Sequence, residues 1–170
     1  MSETVRSLTR SALSAAAGTV ILALASVLPW GRLVLLFAAA VGVIFVRVSC
    51  SCAWALGCYA VTSLLGLILL PTKSSAILYA GFFGYYPLVK LSAERLGNKA
   101  LRWGAKIIVF NAALMAFYLL ARAVFNDVIG NTPMPLWLLW AAANGAFVLY
   151  DIALSRLILY YLRTIAGRMK

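Results

Sequence analysis

Histidine is absent from this 170-residue sequence, and only four residues are acidic: Glu3, Glu94, Asp127 and Asp151. Without histidine there is no imidazole base, no histidine-based triad and no histidine metal site. Four scattered carboxylates leave little for paired-acid catalysis or for an oxygen cage around magnesium or calcium. Cysteine is scarce too. Cys50, Cys52 and Cys58 give one C-x-C pair with no second ligand pair, and they read as small reduced residues at a helix end. The expectation is a protein that is not an enzyme and holds no metal or other cofactor.

Charge is also in short supply, at 11% of residues, against about 25% in soluble domains. What fills the space is apolar: 65% of the chain is hydrophobic and the mean hydropathy is +0.99. One small globule cannot hide that much apolar surface, so its solvent is read as a lipid bilayer. The net charge of +11 would suggest nucleic acid in a soluble protein. No aromatic-interleaved basic patch accompanies it, so no nucleic-acid partner is expected.

A bilayer core of about 30 Å needs about 20 apolar residues at 1.5 Å each. Six stretches qualify, at about 11–28, 33–48, 53–70, 75–91, 103–125 and 136–160. The fold expected is an all-α integral membrane protein, a single six-transmembrane-helix bundle over residues 1–170. Pro29, Pro71 and Pro135 mark ends of spans. Between Leu33 and Leu70 neither a proline nor a charge other than Arg47 marks a break. A turn is placed at Arg47 to Cys52 because one helix of that length would far overshoot the bilayer. The first span, with Arg6 and Arg10 before it and Ala23-Leu24-Ala25 within it, has features of a signal peptide and is read as an uncleaved helix.

Basic residues set the orientation. With the N-terminus inside, twelve lysines and arginines fall on the cytoplasmic side. Three, Arg32, Lys73 and Arg122, fall outside. That asymmetry obeys the positive-inside rule and puts both termini in the cytoplasm.

Polar residues at membrane depth are the candidates for function. At helical spacing, Asn111, Met115, Tyr118 and Arg122 share one face of the fifth span. Trp137, Trp140, Asn144 and Asp151 share one of the sixth, and Ser75, Tyr79, Phe82, Tyr86 and Lys90 one of the fourth. Asn111 and Asn144 both lie about 12–13 Å deep. Lys73 and Arg122 stand at the outer mouth. Asp151, about 24 Å down, reads as an ion-pair partner for Arg47, Lys106 or Lys90. Converging faces of this kind would wall a substrate cavity with aromatics and a few orienting polar groups. Lys73, Tyr79, Asn111, Arg122, Trp140 and Asn144 are the expected binding residues. The same residues are open to a plainer reading, with aromatics as interface belts and asparagines as interhelical glue. Gly81, Gly84 and Pro87 interrupt the fourth span, loosening or kinking it. On the first span three small-xxx-small pairs overlap: Ser11 with Ala15, Ala12 with Ala16, and Ser14 with Gly18. Each could let another helix approach, within the chain or on a partner.

Six spans, a basic start, the Ala12/Ala16 pair, and the stretches Leu70-Pro71-Thr72-Lys73-Ser74-Ser75-Ala76 and Phe83-Gly84-Tyr85-Tyr86-Pro87-Leu88-Val89-Lys90 together resemble the substrate-binding S-components of bacterial energy-coupling factor transporters. The resemblance implies capture of a vitamin-like micronutrient at the outer face of the bacterial cell membrane. It also implies docking on a transmembrane coupling subunit bound to two ATPase subunits. By the same resemblance Ala12 and Ala16 would be the docking residues, and Lys73, Tyr79, Arg122, Trp140 and Asn144 lie where the family places its ligand. No Walker motif is present, so ATP hydrolysis would belong to those partners. The competing classes are a small membrane transporter or an accessory or ligand-free scaffold subunit without ATPase coupling, and a small enzyme acting on lipid head groups.

Overall fold

The computed structural model describes residues 3–28, 31–94, 97–124 and 135–164, with the side chains of 120–124, 161, 162 and 164 excepted. All regular structure among them is helical. Five helices are long and apolar enough to cross a membrane: α1 (Glu3–Val27), α2 (Arg32–Ser49), α3 (Cys52–Leu69), α6 (Lys99–Val124) and α7 (Leu136–Thr164). The chain between Leu69 and Lys99 is helical in pieces, α4 (Lys73–Leu78), a π turn (Tyr79–Phe83) and α5 (Tyr86–Ala93). This is a multi-pass membrane protein. Its outward faces carry the side chains a bilayer solvates, such as Leu13, Ile68, Ile108 and Leu149, each about 70% exposed.

Local chemistry explains the ends. α1 begins two turns before its apolar run, with Glu3 in the first turn, where a carboxylate favours the helix dipole. Gly31 starts α2 at φ 79°, the left-handed region that glycine enters without a Cβ penalty. Between α2 and α3 only Cys50 and Ser51 are non-helical, which confirms a turn within Arg47 to Cys52. Ser51 is extended, and its carbonyl accepts the first α3 bond from Ala55 N–H at 3.1 Å. Asn98 caps α6 by accepting Ala100 N–H at 3.0 Å, a common use of asparagine. Pro87 sits in the first turn of α5, where its missing N–H costs nothing.

Chain contacts divide the protein into two units, Met1–Val109 and Phe110–Lys170. In the first, α1 packs on α2 and α3 through small residues. A Cβ at Gly42 would lie 3.2 Å from the Ser14 carbonyl oxygen, and one at Gly18 would lie 3.2 Å from Thr62 Cγ2. Such spacing brings backbones together in lipid, where packing rather than hydrophobicity drives association. Ser11 Oγ also donates to the Trp54 carbonyl at 3.1 Å. These contacts run the helices in alternating directions. One end of the unit therefore gathers Arg6, Arg10, Arg47, Lys99 and Arg102, and the other has Arg32 and Lys73. In the second unit, Phe110 stacks on Phe147 with centroids 4.2 Å apart and planes at 22°.

Candidate functional site

The end of the first unit that carries Lys73 is held by hydroxyls. Thr72 Oγ1 donates to the Ser26 carbonyl at 3.0 Å and Ser75 Oγ to the Ala25 carbonyl at 3.3 Å, so two orphan carbonyls at the end of α1 are satisfied. Arg32 donates through Nε to Ser75 Oγ at 2.8 Å and through its terminal nitrogen to Ser74 Oγ. Lys73 is exposed, and its ammonium donates back to the Ile68 carbonyl at 3.2 Å. Arg32, outside the expected binding set, is the cation built into this end. Its signal in the sequence was the Ser74-Ser75 pair.

Below it lies Tyr79, fully buried among Leu22, Ala25, Leu36, Ala39, Ala40, Leu70 and Ala76. Its hydroxyl has no hydrogen-bond partner within bonding geometry among the described residues. Thr62 stands next to it, with its own hydroxyl donated to the Cys58 carbonyl at 2.8 Å. The Tyr79 and Tyr59 rings are tilted at 39°, with centroids 6.4 Å apart. The π turn starts at Tyr79. Gly84 N–H bonds to the Tyr79 carbonyl, five residues back, at 2.8 Å. The carbonyl four residues back, Ala80, accepts the Tyr59 hydroxyl at 2.7 Å instead. Gly84 allows this arrangement. A Cβ there would sit 2.6 Å from the Tyr59 ring and 2.8 Å from the Tyr79 ring. The interruption expected from Gly84 and Pro87 is therefore real, and its form is a one-residue bulge locked from α3. Such bulges concentrate at functional positions. Tyr59, Thr62 and Ser63, which complete the cluster, were not among the expected residues. Their polar i, i+3, i+4 spacing on an apolar span was the available signal.

In the second unit the structure brings Asn111, Trp140 and Asn144 together. Asn111 Oδ1 accepts Trp140 Nε1 at 2.8 Å and Asn144 Nδ2 at 3.4 Å, while Asn111 Nδ2 donates to Asn144 Oδ1 at 3.1 Å. Asn144 Nδ2 also donates to the Trp140 carbonyl at 2.9 Å. Trp140 has one donor and spends it here. The three side chains satisfy one another and tie α6 to α7. The Arg122 side chain, Asp127 and Asn131 lie outside the described residues.

At the basic end of the first unit Lys90 is fully buried, and its ammonium lies 3.7 Å from Glu94 Oε1. Lys106, also buried, reaches the same oxygen at 3.5 Å and lies 5.7 Å from the Trp103 ring centroid. Glu94 thus holds two lysines, an arrangement that offsets the large cost of charge at membrane depth. Asp151, in the second unit, is buried. Beside Glu94, an open groove of about 450 Å³ runs between α3, α5 and the start of α6. Among the described residues no three histidine, cysteine or acidic side chains cluster as a metal site.

The stripes of α1 part company. Ser11, Ala15 and Gly18 are buried against α2 and α3, whereas Ala12 and Ala16 are exposed. Compared with protein-family models, with curated proteins and with solved structures, the chain matches none.

Proposed function

We propose that this protein is the substrate-capture subunit of a bacterial micronutrient uptake system, resident in the plasma membrane with both termini cytoplasmic. In this reading it docks through Ala12 and Ala16 on a membrane coupling subunit served by two ATPases, and does no chemistry itself. The observation that carries it is the division of α1. Two small-residue pairs are used up inside the bundle, and the third stands open on the outward face. An exposed alanine face has no packing duty to the fold, and it admits a second helix closely. The collection of basic residues at the end where α1 begins agrees with a cytoplasmic N-terminus. The proposed ligand contacts are Lys73 and Tyr79 in the first unit and, separately, Asn111, Arg122, Trp140 and Asn144 in the second.

The test is co-purification in mild detergent, with mass spectrometry of bound small molecules. A stoichiometric small molecule is expected with wild-type protein. Ala16→Trp should lower recovery of the coupling subunit about tenfold or more, an estimate from the loss of close helix approach, and keep the small molecule. Loss of folding in Ala16→Trp would place this face inside the bundle and remove the docking reading. A second reading, a ligand-free assembly subunit, is favoured by the closed Asn111–Trp140–Asn144 network, whose members already satisfy one another. It predicts no co-purified small molecule.

A further inference from the structure

We propose that the groove between α3, α5 and α6 is a binding site for one anionic phospholipid, with an acyl chain along the groove and the phosphate on Arg102. This goes beyond solute capture and does not rest on it.

The groove's walls are Leu56 of α3, Leu88, Val89 and Ala93 of α5, and Ala105 of α6, with Ser92 as a polar wall residue. Ala93 and Ala105, with only methyl side chains, leave the space between α5 and α6 unfilled. The opening is wide and its lining apolar, which suits a hydrocarbon chain and gives a polar solute little to hold. In a bilayer such a chain is always at hand.

The charge around the groove selects the head group. Arg102 lies three residues before Ala105, hence on the same face of α6 and one turn nearer the helix start. It is half-buried, and its guanidinium makes no ion pair or hydrogen bond among the described residues. The other basic groups nearby differ. Lys90 and Lys106 are both on Glu94, so the Glu94 carboxylate is already paired. Lys99 is exposed one turn before Arg102 and adds positive potential. Trp103 is 42% exposed, as aromatic residues are at the head-group level. An arginine fork can hold two phosphate oxygens at once. Basic sites between membrane helices bind anionic head groups on the same principle. At the opposite end of the unit, Arg32 is engaged by Ser74 and Ser75.

The test uses the full chain, delipidated in detergent, and native mass spectrometry with phosphatidylglycerol or phosphatidylcholine at equal concentration. Wild type should hold one phosphatidylglycerol in clear preference to phosphatidylcholine. Arg102→Gln should reduce that preference about fivefold, the share of one basic residue at a membrane surface. Arg32→Gln should leave it unchanged. Ala105→Trp, which fills the groove, should lower retention of both lipids; Arg102→Gln carries the test if Ala105→Trp does not fold. Excess inorganic phosphate should leave the lipid adduct in place. Equal retention of the two lipids by wild type, an unchanged preference in Arg102→Gln, or displacement by inorganic phosphate would each overturn the proposal.

Discussion

Around Tyr59 in the first unit, the polar contacts run from side chain to backbone. The Tyr59 hydroxyl holds the Ala80 carbonyl, Thr62 holds the Cys58 carbonyl, and the Tyr79 hydroxyl is left over. Around Asn111 in the second unit, amide meets amide and indole, and each group finds a partner. The difference lies in what each cluster fixes. The first fixes the path of one chain segment, because a carbonyl released from its own helix is captured by a neighbour. The second fixes the distance and rotation of two helices. A defect in the first should be felt as misfit of rings and backbone, and one in the second as stranded polar groups.

The largest expected effect comes from Gly84→Ala. Its Cβ would overlap both tyrosine rings, and overpacking of this kind costs about 1–3 kcal/mol. Equilibrium unfolding in mixed micelles should show that loss. A stability equal to wild type would mean that the rings move aside freely and the π turn is not locked.

Asn111→Ala comes next, at about 1–2 kcal/mol, because it strands the Trp140 donor and the Asn144 side-chain oxygen, while Asn144 Nδ2 keeps its bond to the Trp140 carbonyl. Asn144→Ala should cost less, since the Trp140–Asn111 bond survives. If the order were reversed in the same unfolding measurement, Asn111 would not be the centre of the network.

The smallest effect belongs to Tyr79→Phe. Removing a buried hydroxyl that has no partner among the described residues is expected to change stability by about 0.5 kcal/mol or less, or to raise it. A clear loss would show that the hydroxyl has work to do, which would bring the two clusters closer in kind.

Much of the architecture was legible. Runs of apolar residues located every long helix, and length alone placed the turn near Cys50, where glycine and proline gave no hint. Helical spacing put Trp140 and Asn144 on one face but could not say that Asn111 would close them into a network. That pairing depends on how two helices are rotated, which a repeat of 3.6 residues does not encode. The three small-residue pairs on α1 looked alike in sequence. Ser11 and Ala15 went inside and Ala12 and Ala16 outside because only one face of a helix can lie against Gly42 and Thr62. The π turn was half legible. Gly84 and Pro87 announced an interruption, but the hydrogen-bond shift depends on Tyr59, twenty-one positions earlier in the chain.

That shift also bears on how tolerant the segment is to changes in length. A π turn is an α-helix holding one residue more than its hydrogen-bond ladder has room for. Deleting one residue within Tyr79–Phe83 would let the ladder close with ordinary spacing, while α4 and α5 kept their places against their neighbours. Adding one residue there would leave a second surplus with no tyrosine to take up the carbonyl it frees. The segment should therefore absorb a deletion more readily than an insertion, the reverse of what a surface loop allows.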